Sequence, residues 1–234
     1  MTEEAEPRRR PRVLVVGART GSLGHYIADH IEALGVEAHM AGIATEPLHL
    51  DVTSEGRCHS ILRELCPTHV VCTVGRNDGG PVYEDEWEGV AREAMEVNFL
   101  GPMNLLRKYE EHLAGMPGTF VAISSNSAHI ARSSSSAYCA SKAALSMALR
   151  CAARDFTRAG IPLRVWGYEP GALAGTPMTV DVGRRLPHGT PMSRMLTNPA
   201  GMPVGAVARI VARDLLDSPE VLLGCIVRLD AGDQ

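Results

Sequence analysis

With 234 residues, 25.1 kDa and 45% hydrophobic side chains, the chain has enough apolar material for one core of ordinary domain size, and it carries no apolar run approaching the eighteen or so residues of a membrane span. A net charge of −4 and a pI near 6.1 weigh against a nucleic-acid-binding surface. Cys58, Cys66, Cys72, Cys139, Cys151 and Cys225 form no Cys-x-x-Cys pair and no zinc-like spacing with the nine histidines, so no metal is expected and the thiols read as reduced, in a soluble cytoplasmic protein.

In chain order, Arg8, Arg9, Arg10 and Arg12 make a basic cluster that Glu3, Glu4 and Glu6 offset, and residues 1–12 read as a disordered tail before one domain over 13–234. The apolar run Val13–Val16 is too short for a secretory signal and enters a glycine turn directly. Strands are expected near Val13–Val16, Ala38–Ala41, His69–Thr73, Thr119–Ile123, Leu163–Tyr168 and Cys225–Leu229. Helical periodicity covers Leu23–Leu34, Ser54–Leu65, Glu86–Ala114, Ala137–Ala159 and Val204–Leu216, the third interrupted at Gly101-Pro102. This alternation predicts a three-layer α/β fold, a Rossmann-like doubly wound parallel sheet with helices on both faces.

One spacing departs from that pattern. Only Ile43-Ala44-Thr45-Glu46-Pro47 separate the end of the second strand from the next apolar patch, Leu48-His49-Leu50, whereas a parallel crossover takes about ten to twelve residues, helix included. The outer strand/helix unit after the second strand is therefore shortened. Six parallel strands are expected, with no helix between Ala41 and Asp51.

Residues 172–202, rich in Gly, Pro and Thr and without a long period, read as a substrate lid. Met178, Met192, Met195 and Met202 would give it an adaptable apolar wall, or fill ordinary core. His188 and Arg184-Arg185 would meet an acidic carrier or carboxylate, or stand as solvated loop charges.

Val13-Leu14-Val15-Val16-Gly17-Ala18-Arg19-Thr20-Gly21-Ser22-Leu23-Gly24 gives a buried strand, a glycine turn and a helix start in sequence. Such a turn lets backbone approach a pyrophosphate whose charge the helix N-terminus binds. Further on, Tyr138-Cys139-Ala140-Ser141-Lys142 puts a phenol one helical turn from one of only two lysines in the chain, and Ser125 stands thirteen residues earlier at the end of an apolar run. An ammonium about 4 Å from a phenolate, at an effective dielectric of about 20, stabilises it by roughly 4 kcal/mol, which lowers the phenol by up to about three pKa units before desolvation opposes it. Tyr138 then serves as an acid/base, with Ser125 donating to the substrate oxygen.

These residues resemble the short-chain dehydrogenase/reductase family, in its single-domain, 3-oxoacyl reductase-like branch, from Val13 to Gly232. Val16 replaces the Thr usual before the turn, and one extra residue separates Gly21 from Gly24. The resemblance implies that Ser125, Tyr138, Lys142 and Asn98 are catalytic, with Lys142 also holding the nicotinamide ribose and Asn98 positioning a relay water. It implies cofactor contacts from Gly17, Arg19, Gly21, Leu23, Gly24 and Gly75. Pro170-Gly171 and Thr176 would hold the carboxamide. Asp51-Val52 would contact the adenine, although Asp51 equally suits a helix cap. Where discrimination between dinucleotides rests, the chain has Ala41 or Gly42 and no acid, while Arg19 can bind a 2′-phosphate bidentately. NADP(H) is therefore favoured, with NAD(H) possible through Glu46.

The function implied is interconversion of a ketone and a secondary alcohol on a small-molecule substrate. A non-catalytic dinucleotide-binding regulator and an epimerase or dehydratase with transient oxidation are the alternatives. A homodimer or homotetramer paired through the helices within Glu86–Ala114 and Ala137–Ala159 is expected.

Overall fold

The computed structural model of the chain describes residues 10–45, 48–185, 201–217 and 222–229. Its elements in order are β1 (Arg12–Val16), α1 (Leu23–Ala33), β2 (Glu37–Ala41), α2 (Glu55–Leu65), β3 (His69–Cys72), α3 (Trp87–Met95), α4 (Gly101–Leu113), β4 (Gly118–Ile123), α5 (Ser136–Ala159) and β5 (Leu163–Pro170). There follow β6 (Leu173–Ala174), α6 (Pro177–Arg185), β7 (Met202–Pro203), α7 (Val204–Asp217) and β8 (Ile226–Leu229). A π-turn (Glu96–Leu100) joins α3 to α4, and a 3₁₀ turn (Asn126–Ala128) follows β4.

The main sheet has six strands in the order β2-β1-β3-β4-β5-β8, every pair parallel; β6 and β7 form a separate two-stranded parallel pair. Alternate residues of the central strands feed opposite faces, as the pleat requires. Leu14, Val16, Val70, Phe120 and Val165 pack against Ile61 and Leu62 of α2, Leu105 and Tyr109 of α4, and Leu145 and Leu149 of α5. Val13, Val15, Val71, Val121 and Trp166 face the other way, onto Ile27 and Ile31 of α1 and Val207 and Val211 of α7. The three layers of the expected doubly wound fold are thus present, and the near-continuous apolar strands are those of a sheet covered on both faces.

Three boundaries differ from the sequence reading. Arg12, assigned to the tail, opens β1: its backbone N–H donates to Thr68 Oγ1 (2.9 Å), its Nη1 to the Leu65 carbonyl (2.7 Å), and Nε pairs with Glu37 (3.2 Å). Residues 1–9 lie outside the described residues. The interruption expected at Gly101-Pro102 falls immediately before it, in the π-turn. Pro102 sits in the first turn of α4, directly after the π-turn, where it offers no N–H to the carbonyls of the preceding turn, and Gly101 is pressed onto Val52, where an added Cβ would lie 2.5 Å from Val52 Cγ2. Finally, α6 runs through part of the segment read as unpatterned lid. Thr176 caps it, its Oγ1 accepting from Thr179 N–H (3.4 Å), and Pro177 takes the first helical position, so a start signal stood in the sequence.

After β2 the chain makes a single bridge, Gly42 to His49, with Gly42 N–H donating to Leu48 O and Leu50 N–H to Gly42 O, both 3.1 Å. No helix occurs between Ala41 and Asp51 among the described residues. The edge unit is reduced to one bridged loop.

Candidate active site

The carboxyl ends of β1, β3, β4 and β5 open into one cavity of about 620 Å³. This is where an open α/β sheet binds ligands, since the loops diverge on either side of the strand at which the chain order reverses. At one end stands the glycine turn. Gly17 has φ +89°, and a Cβ there would meet Val74 N at 2.8 Å and Thr73 Oγ1 at 2.9 Å, so only glycine fits both the dihedral and the space. Gly24, in the first turn of α1, would bring a Cβ within 2.6 Å of Thr73 Oγ1. Ser22 caps α1, accepting from His25 N–H (3.3 Å) and Arg19 N–H (3.1 Å). Thr73 ties the ends of β1 and β3 together through its N–H (2.8 Å) and Oγ1 (2.9 Å), both donating to Val16 O.

Gly17, Arg19 and Leu23 line the cavity, while Gly21 (φ +77°) and Gly24 shape the turn behind it. Gly42, Ile43, Ala44 and Thr45 form the wall beyond β2, without an acid. Glu46 lies outside the described residues. Arg19 Nη2 is 3.5 Å from Asp181 Oδ2 on α6, both half-exposed, so the guanidinium expected at a 2′-phosphate reaches a carboxylate across the cleft mouth. Asp51 and Val52 also line the cavity. Asp51 accepts from the N–H (2.9 Å) and hydroxyl (2.8 Å) of Thr53, and the helix cap it was weighed for belongs to Ser54.

At the other end, β4 and α5 bring Ser125, Tyr138 and Lys142 together. Tyr138 lies in the first turn of α5, and Ser125 follows β4, with its hydroxyl near enough to the Tyr138 phenol to lower it and accepting from Ser127 N–H (3.1 Å). Lys142, one turn below Tyr138 and 2% exposed, donates to Val74 O (3.2 Å) and Ile123 O (3.0 Å). An ammonium has three N–H groups, so one stays available at the cavity wall. Burial, opposed by Cys72, lowers Lys142 to about 8.

From spacing alone, that ammonium is expected beside the phenol, lowering it. In the structure burial instead raises Tyr138, with the Ser125 hydrogen bond and the Arg132 charge opposing. Lys142 Nζ lies 5.9 Å from the ring centroid, turned towards the two carbonyls. Gly75 fits closely over this lysine: a Cβ there would meet Lys142 Nζ at 3.1 Å and Met178 Cε at 3.4 Å.

Asn98, fully buried in the π-turn, is next to the site and does not line the cavity. Its Oδ1 accepts from Arg76 N–H (2.8 Å), and its Nδ2 donates to Arg76 O and to Ser141 Oγ, both 2.9 Å. The amide clamps the loop after β3 against α5. Pro170, Gly171, Thr176 and Met178 line the wall above β5, whereas Met202 is core beside α7. His188, Met192, Met195 and the Arg184 and Arg185 side chains lie outside the described residues.

Arg132 was missed by the sequence reading. It lines the cavity between β4 and α5, its Nε donating to Ser127 Oγ (3.0 Å) and Nη2 to Asn126 Oδ1 (2.8 Å). No motif marks it, because the turn after Ser125 alone brings it round to the site.

Comparison with known proteins agrees with this fold. Residues 69–186 match the family described as short chain dehydrogenase. A short chain dehydrogenase/reductase of Claviceps purpurea is 32% identical over 124 residues, 52% of this chain and 42% of that protein, so the match spans less than half of the relative's length. Among solved structures, an aldohexose dehydrogenase of Thermoplasma acidophilum superposes with a TM-score of 0.78 at 21% identity, covering 95% of this chain and 94% of that one. A short chain dehydrogenase of Burkholderia cenocepacia in complex with NADP gives a TM-score of 0.72 at 21% identity, over 96% of this chain and 91% of that one. At these identities the structures share the fold, and the sequence match supplies the kinship: the chain belongs to the short-chain dehydrogenase family, whose members are NAD(P)-dependent oxidoreductases.

Proposed function

We propose that the protein interconverts a ketone and a secondary alcohol on a small-molecule substrate, with NADP(H) as the preferred dinucleotide and NAD(H) as a weaker alternative. The observation that carries this reading is that the Ser125, Tyr138 and Lys142 side chains stand at one end of the same cavity whose other end is the glycine turn. The cavity residues fit a dinucleotide. Gly17, shaped so that no side chain can intrude, and the cap of α1 leave backbone facing the phosphate end, and Lys142 keeps a donor for the ribose. Asp51 and Val52 would take the adenine side, and Gly75, Pro170, Gly171 and Thr176 the nicotinamide side. Bound there, the dinucleotide supplies or accepts the hydride.

Each side chain then has a defined task. Ser125 donates to the substrate oxygen and stabilises charge as it develops. Tyr138, held protonated at neutral pH by burial, gives its proton to that oxygen in reduction and takes it back in oxidation. The N-terminal turn of α5 stabilises the phenolate left behind. Asn98 acts one step away, fixing the Arg76 backbone and Ser141 and thereby α5. The acid-free wall at Gly42–Thr45 and the nearby Arg19 support the NADP(H) preference. The NADP-bound Burkholderia relative is compatible with it. Exposed Leu100 and Met147, on the helices expected to pair, support a homodimer or homotetramer. Six free thiols support a cytoplasmic location.

Tyr138→Phe tests the mechanism, because it deletes the acidic proton and keeps the ring. Turnover on a carbonyl panel is expected to vanish while NADP(H) affinity by calorimetry stays within about twofold. Single-turnover hydride transfer at the wild-type rate in this variant refutes the role of Tyr138.

A further inference from the structure

Four cationic side chains among the described residues line the cavity: Arg19, Arg76, Arg132 and Lys142. Three are already engaged. Arg19 faces Asp181 at 3.5 Å, Arg76 is held by Asp78 and by Glu93 at 2.9 Å, and Lys142 sits on two carbonyls beneath the dinucleotide position. Arg132 differs. It has no carboxylate partner among the described residues, and two neutral groups, Asn126 Oδ1 and Ser127 Oγ, hold its guanidinium in place without neutralising it. Ser127 in turn donates its N–H to Ser125 Oγ at 3.1 Å, so the cation is fixed one residue from the serine that meets the substrate oxygen. A guanidinium has five N–H donors in a planar fork; two are used here and three remain. A half-buried, oriented cation with spare donors costs desolvation and recovers little from its neutral partners, which marks it as built for an anion.

We propose that the substrate carries a carboxylate close to the reacting carbonyl or hydroxyl carbon and that Arg132 binds it, making the protein an oxo-acid/hydroxy-acid oxidoreductase. This inference rests on the oxidoreductase reading above and adds the substrate class to it. Arg132 is then the specificity-determining residue: Ser125 and Tyr138 hold the oxygen, and the guanidinium fixes the other end of the molecule. An ester or amide of the same skeleton offers no charge, and the retained cation is left without a counter-charge.

The test pairs 2-, 3- and 4-oxo acids of varied length with their methyl esters, using NADPH, in wild type, Arg132→Met and Arg132→Gln. Malonate, an unreactive dicarboxylate, is titrated by calorimetry with NADP⁺ present. In the wild type the best acid is expected to exceed its ester by at least about tenfold in kcat/KM. Arg132→Met should lower the acid value by about 10- to 100-fold, mainly through KM, and weaken malonate by a similar factor, whereas the ester, which feels only the altered Tyr138 setting, should lose at least about fivefold less than the acid. Arg132→Gln keeps donors for Asn126 and loses the charge, so it should behave like Arg132→Met even if the latter folds poorly. Equal losses for acid and ester would make Arg132 a brace for the 126–132 turn and overturn the proposal, as would wild-type indifference to the carboxylate or anion selectivity in Arg132→Gln. Turnover with malonate affinity unchanged by the substitutions overturns the anion site and leaves the oxidoreductase reading standing. Arg132-dependent malonate binding without turnover of any pair does the reverse.

Discussion

Lys142 should make folding stability depend on pH in a way a single substitution reveals. Its ammonium is 2% exposed, held by two carbonyls and no carboxylate, and burial lowers it from 10.5 to about 8. Between those values the unfolded chain keeps a proton that the folded protein has released, so stability rises with pH across this window. Integrating that difference from about pH 7 to about pH 9.5 gives about 2 kcal/mol in favour of the folded state. In Lys142→Met the contribution disappears. Loss of the hydrogen bonds to Val74 O and Ile123 O shifts that variant's stability by a similar amount at every pH, and so cancels when each protein is compared with itself. Urea unfolding of both proteins at the two pH values, at one protein concentration, should therefore show the wild type gaining about 2 kcal/mol relative to Lys142→Met. Parallel responses within about 0.5 kcal/mol would refute the reasoning and place the lysine in a far better solvated setting. Dinucleotide phosphates bound nearby should restore the proton, so saturating NADP⁺ is expected to flatten the difference.

The glycine turn predicts opposite signs for two Gly→Ala changes. Gly24→Ala, whose Cβ would meet Thr73 Oγ1 at 2.6 Å, should cost about 1–3 kcal/mol and weaken NADP(H), whereas Gly56→Ala, at an exposed position of α2 with nothing within 4 Å, should stabilise by up to about 1 kcal/mol; equal effects in thermal melts would discredit the close-packing argument. Arg19→Ala is expected to weaken NADP(H) by about 10- to 100-fold and leave NAD(H) nearly unchanged, since a charge-assisted contact is lost only with the 2′-phosphate. Asp181→Asn removes a half-exposed competitor for Arg19 and should tighten NADP(H) by up to about fivefold; weaker binding would show that the Arg19–Asp181 pair supports the bound state. Light scattering at micromolar concentration should give a dimer or tetramer, and a stable monomer would count against pairing through α4 and α5.

The layers, and the gathering of Ser125, Tyr138 and Lys142 at one cavity, were legible because each rests on local pattern. Apolar strands alternate with amphipathic helices, a glycine turn follows β1, and Tyr138 and Lys142 are one helical turn apart. The short link after Ala41 was legible too, as arithmetic on chain length. What escaped depends on contacts between distant segments. The interruption near Pro102 was expected, but not that it would be a π-turn carrying Asn98 onto Arg76 and Ser141, twenty-two and forty-three residues away, with Gly101 fitted onto Val52. The direction of the Tyr138 shift depended on burial and on where the Lys142 ammonium points, neither of which spacing reveals. Arg132 is an ordinary loop arginine until Asn126 and Ser127 turn it inward. The cap at Thr176-Pro177 stands in the sequence, but the surrounding Gly, Pro and Thr residues mask the helix period that follows it.

The bridged loop between Gly42 and Leu50 has a consequence for the order in which this chain can be built. Without an intervening strand and helix, β1 finds its second neighbour only 56 residues downstream, as in the Arg12–Thr68 contact, and the three strands β2, β1 and β3 all lie within residues 12–72. Loop closure of that span is less costly than for a longer crossover, and folding rates rise as contacting residues come closer in sequence. During synthesis, half of the sheet and the glycine turn can therefore pair once Cys72 has left the ribosome, before the segment carrying Ser125, Tyr138 and Lys142 has been translated.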